Sequence, residues 1–182
     1  MALDDIDKTF LSHGKYVVDR SNGMTDCDGA VRRSISTLYY ALFQSIISYA
    51  VVRSSNTTDE DEMNAYARKH DHKHIRNICR HIASMGSNTS FEAVEAMKGT
   101  DFTALVDMAV LFVKLQKSRH DSDYNRVHIY SQSDAERYAK QVSQHISTIA
   151  VMFKPRARDK AFHTFLDALA IEIVKNKAPP RD

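Results

Sequence analysis

Glycine and proline are scarce in this chain, five and three residues among 182, and no segment alternates apolar and polar residues between turn signals. A sheet-rich fold uses both, so the expected fold class is all-α. Cysteine is scarcer still. Cys27 and Cys79 both sit in helical patterns without metal-ligand spacing, which excludes a disulfide framework and marks them as small buried hydrophobes in a reducing compartment. The net charge is only +2, too little for a whole-molecule argument about nucleic acid, so local basic patches must carry any such argument. The opening residues Met1-Ala2-Leu3-Asp4-Asp5 lack the basic start and apolar run of a secretory signal, and a cytoplasmic location is expected.

Charge is also missing from one long internal stretch. Between Arg33 and Arg53 no ionised side chain occurs. Val31, Ile35, Leu38, Tyr39, Leu42, Phe43, Ile46, Ile47, Tyr49 and Ala50 recur there at the period of an α-helix. The opposite arc carries Ser34, Thr37, Ala41, Gln44, Ser45 and Ser48 where a solvated face would show Lys and Glu. Such a helix is expected to be covered on both sides, by its own bundle and by another helix or a second subunit. The run is long enough to span a membrane, but hydroxyls and Gln44 through its middle argue against lipid.

Around this helix the pattern gives one domain over residues 1–182. A helix from Leu3 to Asp19 ends before the turn pair Asn22-Gly23, and the acids Asp59-Glu60-Asp61-Glu62 open a helix that runs to about Met85. A short helix over Ser90–Met97 follows, then one from Asp101 to about Ser118 with Phe102, Leu105, Val106, Ala109, Phe112, Val113 and Leu115 inward. A polar loop from Asp121 to Gln132 leads to the capping box Ser133-Asp134-Ala135-Glu136 and a helix with Tyr138, Val142, Ile146, Ile149 and Phe153 inward. A further helix over Asp159–Val174 and a tail over residues 175–182 complete the chain.

Chemistry concentrates in three places. Lys117-Ser118-Arg119-His120-Asp121-Ser122-Asp123-Tyr124-Asn125-Arg126 brings together residue types that grip a phosphate, orient a hydroxyl or move a proton. Arg119 and Asp123 also have the spacing of a plain helical ion pair. His70, His74 and His81 share one helix face, and His70 with His74 has a chelating spacing, but two imidazoles without a third ligand do not make a metal site. The more ordinary reading is a positive strip of Arg68, Lys69, Lys73, Arg76 and Arg80 with these histidines, either solvated or holding phosphates, and no metal is assigned. Lys154-Pro155-Arg156-Ala157-Arg158 is a third basic cluster, read as a solvated turn.

Arg33-Ser34-Ile35-Ser36-Thr37-Leu38-Tyr39-Tyr40-Ala41-Leu42-Phe43, followed later by Arg119-His120-Asp121-Ser122-Asp123-Tyr124 and a capped helix, resembles the HEPN domain superfamily over about residues 3–153. The resemblance implies an antiparallel helical bundle that dimerises, with the helix after residue 159 as an addition. It further implies RNA or nucleotide binding at a dimer cleft, and in some members metal-independent RNA cleavage in toxin–antitoxin or defence systems, without a cofactor. On that pattern the catalytic set is Arg119, His120, Asp123 and Tyr124, and the expected substrate contacts are Arg126 with His74 and Arg76 of the basic strip. The chain departs from the toxin pattern, in which four to six residues separate the Arg from a His, because Tyr124, Asn125 and Arg126 occupy that window. A phenol is a poor general base near neutral pH. The alternative expectation is therefore a non-catalytic module that partners a nucleotidyltransferase.

Overall fold

A computed structural model describes residues 27–54, 72–84, 103–125 and 127–152, together with positions 12, 59, 61 and 65. Among the described residues the fold is all-helical, without strands, and its long elements are α1 (Cys27–Ser54), α2 (His72–Ala83), α3 (Thr103–Tyr124) and α4 (Gln132–Met152). The expected helices over Leu3–Asp19, Ser90–Met97 and Asp159–Val174, the tail and the Lys154–Arg158 cluster lie outside the described residues.

Helix α1 is the centre of the bundle. It packs against α3 and α4, while α2 packs on the other flank of α3. Ile35, Leu38, Ala41, Leu42, Ile46 and Ala50 are fully buried, as the periodicity requires. The neutral arc is buried too, at Ser34, Ser45 and Ser48. One chain suffices to cover these serines, so their burial does not call for a second subunit. Among the described residues no helix is long and apolar enough to cross a membrane. The core continues through Ile75, Ile78 and Ile82 of α2, Leu105, Phe112 and Leu115 of α3, and Tyr138, Val142 and Ile149 of α4. The Cys79 thiol lies inside it, and burial pushes its pKa well up, which leaves it unreactive.

Two helix boundaries differ from the sequence reading. Helix α3 does not stop near Ser118 but continues to Tyr124, because Ser118 and Ser122 still face the bundle and are buried there. The Ser118 hydroxyl shares a 2.9 Å hydrogen bond with the Tyr138 hydroxyl of α4. Helix α4 starts earlier than expected, and its capping box is Ser131 with Asp134 rather than Ser133 with Glu136. The Asp134 amide donates to Ser131 Oγ at 3.2 Å, and the Ser131 amide donates back to Asp134 Oδ2 at 3.0 Å.

The Ser131 hydroxyl and amide hold the Asp134 carboxyl below its ordinary pKa, with Arg137 adding to the effect. The folded chain therefore keeps Asp134 ionised to lower pH than the unfolded chain does. This stabilisation is complete above about pH 5 and is lost as the pH falls through the folded value. Ser131→Ala is expected to cost about 1 kcal/mol at neutral pH, and its deficit relative to wild type should narrow on acidification, as urea denaturation at a series of pH values will report.

Candidate functional site: a basic groove between α2 and α3

Three residues one helical turn apart on α1 (Arg32, Ser36 and Tyr40) face the last turns of α3. Helix α3 has no basic residue in its own last turn, so the partial negative charge of its carbonyl end must be met from elsewhere. Arg32 meets it. Its Nη1 donates to the carbonyls of Asp121 at 3.4 Å, Ser122 at 3.2 Å and Asn125 at 3.1 Å, its Nη2 donates to the carbonyl of His128, and Asp28 holds its Nε at 2.6 Å. One turn on, Ser36 Oγ donates to Asp123 Oδ1 at 2.8 Å. One turn further, the Tyr40 hydroxyl accepts from Arg119 Nη2 at 3.2 Å.

These contacts fix the direction of Arg119. Its Nε stands 2.9 Å from Asp123 Oδ2, an ion pair by distance although the N–H does not point straight at the acceptor. The two side chains are 29% and 31% exposed, so the pair is neither buried nor freely solvated. Its guanidinium also lies 5.6 Å from the centre of the Tyr40 ring. Nη2 is turned toward α1 and Nε toward Asp123 on the same helix. Among the described residues Nη1 has no partner, and it is the nitrogen left to meet a ligand.

Arg119 forms one edge of a groove of 530 Å³ between α2 and α3. From α2 come Arg76, Arg80 and Ala83, at helical spacing. From α3 come Val110, Val113, Lys114, Gln116, Lys117, Arg119 and His120. Five Arg and Lys side chains thus surround a small volume, and among the described residues no carboxylate lines it. A chain with a net charge of +2 carries a concentrated positive field here.

Tyr39, the sequence neighbour of Tyr40, is locked in the core. The Tyr39 hydroxyl lies 2.7 Å from His72 Nδ1, and the imidazole stacks on Phe43 with ring centres 3.9 Å apart. Burial pushes the Tyr39 pKa well above its ordinary value, against a smaller lowering by a hydrogen bond with Gln116. Tyr39 is therefore a neutral structural phenol.

Of the site residues expected from sequence, Arg119, His120 and Arg76 line the groove and Asp123 orients Arg119. Tyr124 does not provide the phenol that meets Arg119, a role taken by Tyr40. Its ring lies 5.0 Å from that of His120 and is 69% exposed. His74 is half-buried on α2 with Nδ1 unpaired, and it does not line the groove. Arg126 and His70 lie outside the described residues. Among the described residues no three His, Cys, Asp or Glu side chains converge as a metal site. Sequence reasoning missed the roles of Arg32, Ser36 and Tyr40. Their four-residue spacing was the available signal, but nothing in it says what the stripe faces.

No protein-family model, curated protein or solved structure matches the chain. The functional reading therefore rests on the site.

Arg32→Ala removes every guanidinium contact at the end of α3, and a loss of about 1–3 kcal/mol in urea unfolding is expected. Arg32→Lys should recover less than half of it, since an ammonium cannot span carbonyls on both sides of the turn.

Proposed function

We propose that this chain is a HEPN-type helical protein that binds RNA through its phosphates at the α2–α3 groove and cleaves it there. The carrying observation is the ring of Arg76, Arg80, Lys114, Lys117 and Arg119 around the groove, with no acid among the described lining residues. Phosphodiester oxygens are the ligand chemistry that such a set fits. In this reading Arg119 steadies the scissile phosphate and the charge that develops on it. Asp123 orients Arg119, and the imidazole of His120, beside it in the groove, moves the proton between ribose hydroxyl and leaving group. The HEPN resemblance supplies the expectation of a homodimer, in which two copies bring their grooves together.

A second reading, a non-catalytic module that holds a nucleotide or a loop of a partner nucleotidyltransferase, is favoured by the position of Tyr124. It stands where the toxin pattern has its His, and it faces solvent. Cleavage separates the two readings.

Purified protein incubated with labelled RNA in EDTA should cut it, and Arg119→Ala should not. If wild type leaves the RNA intact, or Arg119→Ala cuts equally well, the nuclease reading fails and the binding module stands. Binding itself should weaken with salt and lose roughly 0.7 of its log–log slope for each phosphate contact removed. The exposed groove residue Arg80 is the first to substitute, and Arg80→Glu that binds RNA as wild type does would rule out the groove.

Sedimentation velocity should show a dimer at micromolar concentration. A monomer across the accessible range would remove the two-copy cleft and leave the groove of the single chain.

A further inference from the structure

We propose that the Tyr124 ring is a stacking platform for one unpaired base, so that the groove takes single-stranded rather than duplex RNA; this rests on the RNA-binding reading above. The first observation is exposure. Tyr39, Tyr130 and Tyr138 are buried, Tyr40 and Tyr49 are packed against the core, and Tyr124 alone among the described tyrosines is left open, at 69%. An aromatic ring in water forfeits one of the largest burial gains available to a side chain.

The second observation is position. Val110, Val113, Lys117 and His120 line the groove from α3, and Tyr124 continues the same stripe one turn past His120. Its ring lies 5.0 Å from the His120 ring at an interplanar angle of 48°, so the phenol sits at the end of the cationic groove. Val127 and Ile129, three and five residues further along the chain, are exposed as well, at 89% and 79%.

The third observation is rigidity. The Asn125 amide donates to the Asp121 carbonyl at 2.9 Å, and Arg32 holds the carbonyls on both sides of Tyr124. The ring is therefore presented on a fixed backbone, and little ordering is left to be done on binding.

A positive groove that follows a backbone and ends on an exposed ring is the arrangement that recognises single strands. In a duplex both faces of each internal base are already stacked, so the ring has nothing to receive, and duplex RNA meets proteins through phosphates and ribose hydroxyls. Charge selects RNA at the groove, and the ring selects an unpaired strand.

The test uses a short fluorescently labelled adenylate oligonucleotide, free or annealed to its uridylate complement, with wild type, Tyr124→Ala, Tyr124→Phe and Tyr124→Trp. Wild type should bind the single strand more tightly than the duplex. Tyr124→Ala should lose roughly 5- to 100-fold in affinity for the single strand, with little change on the duplex and an unchanged salt slope. Tyr124→Phe should retain the affinity. The chain contains no tryptophan, so Tyr124→Trp introduces its sole indole, whose emission should be quenched by the single strand. Single-strand affinity unaffected by Tyr124→Ala, an equal loss on both forms, or an unquenched indole overturns the stacking role. If wild type binds neither form, or Arg80→Glu binds like wild type, the groove reading itself has failed. Groove-dependent binding that ignores position 124 defeats the stacking inference alone.

Discussion

The guanidinium of Arg32 joins the carbonyl end of α3 to α1, and the whole site lies downstream of that junction. Without it the helix would end at an unsatisfied turn carrying Asp121, Asp123 and the carbonyls around them, with no basic residue in that last turn. With it, α3 continues to Tyr124, and Arg119, His120 and Asp123 acquire a common helical frame. Ser36 and Tyr40 then act on that frame one turn at a time, the first on Asp123 and the second on Arg119. The stripe on α1 thus serves stability and site geometry together.

This explains why the fold was easier to read than the site. The core faces of α1, α3 and α4 follow from period alone, and Ile35, Leu42, Phe112, Leu115, Tyr138 and Val142 are buried where the period places them. Val106 and Val113, expected inside, are only partly buried at the edge of the core. The end of α3 is hard to read from sequence because Ser118, His120, Asp121, Ser122 and Asp123 are indifferent or poor helix formers with loop-like polarity. What keeps them helical is a cation 89 to 96 residues away in sequence, and no local pattern can show that.

The register of the α4 cap has a similar cause. Ser131 and Ser133 both stand three residues before an acid, and local preference does not choose between them. The turn after α3 decides, since Arg32 fixes the chain as far as His128 and the helix can then begin at Gln132. Tyr40 shows the same limit from the other side. The aromatic pair Tyr39-Tyr40 carried the family resemblance, but sequence could not divide its labour. Adjacent helical positions point about 100° apart, which sends Tyr39 into the core against His72 and Tyr40 to the guanidinium of Arg119.

That division separates the groove's cations into two kinds. Among the described residues the side chains of Arg76, Arg80, Lys114 and Lys117 make no hydrogen bond or ion pair, so ordering each on a ligand carries an entropic cost. Arg119 is already held by Asp123 and Tyr40 before any ligand binds, and the direction of its remaining nitrogen is set by α1. Four cations supply attraction that is tolerant of position and weakens with salt. The fifth supplies a fixed point against which a phosphate can be aligned. On the proposed reading, chemistry on a phosphodiester needs that alignment more than it needs attraction, and for this reason Arg119, rather than Arg76 or Arg80, is the residue around which catalysis would be organised.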